Sequence, residues 1–210
     1  MRLATLAPVG LVLALATITP AAATTFSFTT DPFAGTTALT TPGRQVVGGE
    51  PFINFNSATD VFAFDRVVFG INQILFVNSA IAGVPGSGAN VIVLETFDND
   101  ADPGTPFGAG NAANLLAAQI TTSGPGFFIY FNQNLNLPRL VYSTDLSDNT
   151  ADLKILARMT NLTGQSGQLA NFTPANFALT ETPLPGGFVL FSTGLALYGL
   201  RRFTSSRARG

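Results

Sequence analysis

Residues 90–131 read NVIVLETFDNDADPGTPFGAGNAANLLAAQITTSGPGFFIYF, and their reading decides the fold. A continuous apolar run stands at each end, Asn90–Phe97 and Phe127–Phe131, bounded by Pro and Gly as the buried strands of a sandwich are. Between them the Ala and Leu content of Asn111–Ile120 predicts a short helix. Asp98–Gly110 and Ser123–Gly126 carry turn chemistry and read as loops, as does Gly83–Gly88.

Working outward, further short runs carry the same signature. Thr25–Thr29 alternates around Phe26 and Phe28, Asp60–Phe69 is rich in Val and Phe, Ile71–Val77 continues it after Gly70, and Leu140–Thr144 is another strand. In Asp152–Thr160, Leu153, Ile155, Ala157 and Met159 alternate with Lys154 and Arg158, which predicts a half-buried strand; a helix capped by Thr150 and ending at Gly164 is the alternative. The chain has 19 Phe, no Trp, 21 Gly and 13 Pro, a composition of strands joined by tight turns. The expectation is a mainly β chain with one β-sandwich or jelly-roll domain over residues 24–182, with Phe from both sheets interleaved.

Absent residues narrow the chemistry. With no Cys and no His, the 210-residue chain has no Ser-His or Cys-His nucleophile and no imidazole or thiolate metal site. Between Asp31 and Glu181 lie all twelve acids but only five basic residues, Arg44, Arg66, Arg139, Lys154 and Arg158, a net of −7. Phosphate-backbone binding rests on clustered Lys and Arg, so nucleic acid is excluded as a partner.

The two ends read as targeting signals. Arg2, an apolar run from Leu3 to Ile18, Pro20 and then Ala21-Ala22-Ala23 have the three regions of a secretory leader, residues 1–23, with Ala21 and Ala23 framing the cleavage site. At the other end Gly186–Leu200 carries no charge, and Phe188, Leu190, Phe191, Leu195, Leu197 and Leu200 supply apolar surface. About 15 helical residues reach roughly 22 Å against a hydrocarbon core of roughly 30 Å, a marginal transmembrane span. Arg201, Arg202, Arg207 and Arg209 follow and stay cytoplasmic under the positive-inside rule, leaving residues 24–182 outside.

Pro183-Leu184-Pro185, the short apolar span and the terminal arginines together resemble the PEP-CTERM sorting signal in its Pro-Leu-Pro variant, over residues 183–210. Leu184 stands where the main pattern has Glu. The resemblance implies recognition by exosortase, a membrane cysteine protease-transpeptidase, after passage through the secretion machinery. It implies a precursor held in the inner membrane of a Gram-negative, exopolysaccharide-producing bacterium, then a product at the cell surface or outside the cell. A GPI signal is the competing reading of a small-residue and apolar tail, joined by the sequons at Asn161 and Asn171, but such a tail ends apolar and this one ends basic.

Within the middle domain, Asp98, Asp100 and Asp102 alternate in a turn and could converge on calcium, the one cofactor the pattern admits. Pro103 and Ala109 stand where a calcium loop has Gly and a closing Glu, and solvated turn acids are the alternative. Asp145, Asp148 and Asp152 form a second acidic loop, and Tyr130 and Tyr142 could line a sugar-binding face. The resulting expectation is a non-enzymatic structural or adhesive surface or matrix protein, linked to exopolysaccharide or biofilm. A calcium-dependent carbohydrate- or surface-binding module is the alternative, and a secreted glycoside hydrolase acting through paired carboxylates the third reading.

Overall fold

The computed structural model describes residues 22–98, 102, 105–164 and 166–181. The runs around the helix set the architecture. Val91–Leu94 (β6) and Gly126–Asn132 (β7) are buried along their whole length, and Ala109–Gln119 forms the helix between them (α2). That helix carries the chain back across the sheet, so β6 and β7 pair in parallel, Val91 beside Phe127 and Leu94 beside Tyr130. Phe76–Ser79 (β5) adds to β6 in parallel. Leu137–Ser143 (β8) and Leu153–Met159 (β9) follow β7 as an antiparallel meander.

Two short strands, Val46–Val47 (β2) and Phe52–Ile53 (β3), lie end to end along the outer edge of β9, both parallel to it. The seven-stranded sheet therefore runs β2-β9-β8-β7-β6-β5, with β3 also on β9. A second sheet has three strands, all parallel: Thr25–Phe28 (β1) and Phe177–Thr180 (β10) flank Val61–Asp65 (β4).

Alternation along each central strand separates two cores. Val91, Val93, Phe127, Ile129, Leu140 and Tyr142 face Phe62, Phe64 and Phe177 of the small sheet. Ile92, Leu94, Phe128, Tyr130, Val141 and Ile155 face Ala112, Ala113 and Leu116 of α2, with Phe107 beside them. Aromatic rings knit the first core: Phe64 stacks on Phe127 with centroids 3.7 Å apart, and Phe55 on Phe62 at 4.3 Å.

This arrangement corrects the expectation of a mainly β sandwich or jelly roll: the fold is mixed α/β with largely parallel sheets. Only β7-β8 and β8-β9 pair antiparallel among the described strands. The continuous apolar runs arise because helix and sheet cover β6 and β7 from opposite sides, the burial pattern of parallel strands in α/β proteins. Local corrections follow. Asp60–Phe69 is not one strand, because the fully buried Asp65 caps a one-turn helix, Arg66–Phe69 (α1), by accepting from the N–H of Val67 at 2.9 Å and of Val68 at 3.0 Å. Gly70 then ends the turn at φ 67°, in the left-handed region. Of the two readings of residues 152–160, the strand is observed as β9.

Gly126 shows how closely these layers meet. A Cβ there would stand 2.7 Å from the Asn90 carbonyl oxygen and collide with Leu146 Cδ1, and that carbonyl already accepts the Phe127 N–H. The Leu146 tip can swing away, but the backbone carbonyl cannot leave without breaking the β6-β7 junction. Gly126→Ala is therefore expected to destabilise the fold by about 1–3 kcal/mol, read as a lower urea midpoint with an unchanged denaturant slope.

Candidate functional site

A cluster of charge lies where the β2-β3 segment borders β9. Val46 pairs with Leu153 and Phe52 with Arg158, so six steps along the β2-β3 segment match five along β9. The surplus residue is taken up in the arch Gly48-Gly49-Glu50-Pro51, where Gly49 adopts φ 88°. The arch turns Glu50 inward until its side chain is only 1% exposed.

There Glu50 Oε1 accepts a very short hydrogen bond from Arg158 Nε and lies 3.5 Å from Arg139 Nη2. Arg139 and Arg158 are direct cross-strand partners on β8 and β9. Like charges so placed repel, and the shared carboxylate is what lets them sit together. The Arg158 guanidinium also lies 4.9 Å over the ring of Phe52. Burial alone would raise the Glu50 carboxyl, but the Arg158 hydrogen bond and the charges of Arg158 and Arg139 outweigh it and hold it below the usual carboxylate range.

Glu50 lines one wall of an open cleft of about 600 Å³ that also takes in Thr29, Asp31, Phe69, Lys154 and Leu156. Lys154 Nζ donates to the Gly48 carbonyl at 2.7 Å, which ties the arch to β9. The lining combines hydroxyl, carboxylate and ammonium groups with two phenylalanines, Phe28 and Phe69, suited to a hydroxyl-rich ligand. Held ionised, Glu50 does not fit the general-acid role of a glycosidase, which calls for a carboxyl protonated near neutral pH.

The residues singled out from sequence fall elsewhere. Asp98 and Asp102 are exposed, and Thr105 binds back onto Asp102 through its hydroxyl at 3.1 Å and its N–H at 3.0 Å; Asp100 lies outside the described residues. Among the described residues, no group of three or more Asp or Glu is arranged to hold a metal. Nor do Asp145, Asp148 and Asp152 converge. Asp145 accepts from Ser123, Gly124 and Ser147, Asp148 from Thr150, and Asp152 reaches across to the N–H groups of Leu39 and Gln45, each at 2.6 Å.

The proposed aromatic face is corrected as well: Tyr130 and Tyr142 are buried, on opposite sides of the large sheet. Tyr142 donates to the Phe69 carbonyl at 3.3 Å, and burial pushes its phenol up to about 12. Asn161 of the first sequon clamps Phe55 by both its N–H and its carbonyl. Ala23 is exposed at the start of the described chain, whereas Ala21, the Pro183-Leu184-Pro185 motif, the predicted span and the arginine tail lie outside the described residues. No described helix is long and apolar enough to cross a membrane.

Sequence reasoning missed Glu50, Arg139 and Arg158. The Gly-Gly-Glu-Pro run at 48–51 was the available signal, since paired glycines before an acid and a proline mark a sharp backbone excursion. No family model, curated protein or solved structure matches the chain.

Glu50→Gln leaves two neighbouring arginines without a counter-charge and is expected to cost roughly 3 kcal/mol at pH 7. Because the folded carboxyl lies below its unfolded value of about 4.3, its contribution is present above that pH and is lost as pH falls through the folded value. Urea titrations across pH 3–7 should show the gap between wild type and variant closing on the acid side.

Proposed function

We propose that the chain is an exported, exosortase-processed surface or extracellular-matrix protein with a structural or adhesive role. The observation that carries the reading is the order of the C-terminal segment: Pro183-Leu184-Pro185, an uncharged apolar stretch, then Arg201, Arg202, Arg207 and Arg209. A secretory leader at the opposite end is the necessary complement, because it delivers the intervening residues across the membrane that the tail would then engage.

The fold offers support of a different kind. β1 and β10 run parallel on the two sides of β4, so the chain enters the small sheet beside Val61 and leaves it beside Asp65, at opposite ends of the strand. The exit is held by an ion pair, Glu181 with Arg66 Nη1 at 2.8 Å. β10 thus ends beside Asp65, at the end of the small sheet from which a tether would start. The hydroxyl and carboxylate lining of the cleft beside Glu50 and Asp31 supports contact with a hydroxylated polymer such as exopolysaccharide.

The test is the intact mass of the protein from its native host, in cells with and without the sorting protease. Loss of everything beyond the Pro183–Pro185 region only when the protease is present is the expected result. An intact C-terminus in both strains would leave a single-span anchored protein and overturn the sorting reading.

A further inference from the structure

We infer that Asp60 is a receptor for the α-ammonium group of Thr24, so that removal of the leader after Ala23 completes a half-buried ion pair and locks the mature fold. The inference rests on the export reading above and on geometry at the first residues of the folded body.

Asp60 sits in the turn before β4 and is 5% exposed. Its Oδ1 accepts the Thr24 N–H at 2.9 Å and the Thr59 hydroxyl at 3.2 Å, and its Oδ2 accepts the Asn56 N–H at 2.9 Å. Burial alone would raise this carboxyl, but those hydrogen bonds outweigh it and hold it below the usual range, so the group is ionised. Every one of these donors is neutral. Among the described residues no lysine or arginine pairs with Asp60. A buried carboxylate without a cation is costly, and it is stabilised strongly by one placed within hydrogen-bond reach.

The position of the Thr24 nitrogen is fixed independently. The Thr24 carbonyl accepts the Val61 N–H at 2.9 Å, continuing the β1-β4 ladder, while Asn176 Nδ2 holds the Asp60 carbonyl at 2.9 Å and ties the same corner to β10. Ala22 and Ala23 are exposed, so a protease can reach the bond between Ala23 and Thr24. Hydrolysis of that bond consumes one water, leaving a carboxylate on Ala23 and an ammonium on Thr24. The nitrogen stays where the ladder holds it, but now carries a positive charge 2.9 Å from Asp60 Oδ1. The leader-bearing chain makes the same contact only as a neutral amide.

The experiment compares two chains with identical sequence from Thr24 to Gly210, one with a free Thr24 amine and one acetylated there. The free-amine chain is expected to have an unfolding constant at least about tenfold smaller at pH 7, and Asp60→Asn should abolish the difference. Should Asp60→Asn fail to fold, acylation of the Thr24 amine is followed in the wild-type chain. The folded protein should react at least about tenfold more slowly than the urea-unfolded chain, since ion pairing raises the amine above its ordinary value of about 7.7–8.0. Sequencing the N-terminus of the exported protein separates the two levels of the argument. An uncleaved leader overturns the export reading and this inference together, whereas a mature start other than Thr24, or a Thr24 start with equal stability of the free and acetylated chains, overturns the inference alone.

Discussion

The stacking of Phe64 on Phe127 is the contact on which the two-sheet arrangement depends. The small sheet has strands of four and five residues, all parallel, and it could not persist in water without a partner surface. Phe62 and Phe64 give it that surface by projecting from β4 into rings contributed by the large sheet and its loops, including Phe55, Phe127 and Tyr142. Offset-stacked and edge-on pairs add directional preference to area burial. An aliphatic core of equal volume would fill the space but fix the angle between the sheets less firmly. The abundance of phenylalanine is thus a structural requirement of short parallel strands packed on a broader sheet.

The acidity of the middle domain has a structural explanation too. Asp65 caps α1, Asp152 gathers the N–H groups of Leu39 and Gln45, Asp145 organises the turn at Ser147, Glu50 joins two arginines, and Asp60 closes the corner of the small sheet. A fold with many short strands exposes many backbone donors at loop junctions, and a carboxylate accepts several of them at once. These acids are spaced along the chain by the loops they serve, which is why Asp145, Asp148 and Asp152 do not converge on a cation site.

Much of the element content was legible from residue patterns. β1, β6, β7, β8, β9 and α2 fall on runs whose periodicity or composition marks them. β2 and β3 escaped notice because two-residue strands carry no period, and their pairing is written in β9 rather than in themselves. The break between β4 and α1 escaped because Val and Phe fill both elements, while the capping role of Asp65 becomes visible only from its hydrogen bonds. Of the Glu50 ion-pair cluster, only the glycine pair before Glu50 left a mark in the sequence. Arg139 and Arg158 lie nineteen positions apart and meet through register.

By itself the sequence determined which segments are apolar enough to be buried strands and that imidazole and thiolate chemistry is absent. Strand direction was decided only in three dimensions. A continuous apolar run states that both faces of a strand are covered, but not whether the cover is a second sheet or a helix. The packing of Leu116 and its neighbours in α2 against Ile92 and Phe128 settles that choice and makes the β6-β7 pair parallel. Which carboxylates are buried was likewise a matter of tertiary structure, because the donors that satisfy Glu50, Asp60 and Asp152 come largely from segments remote in the chain.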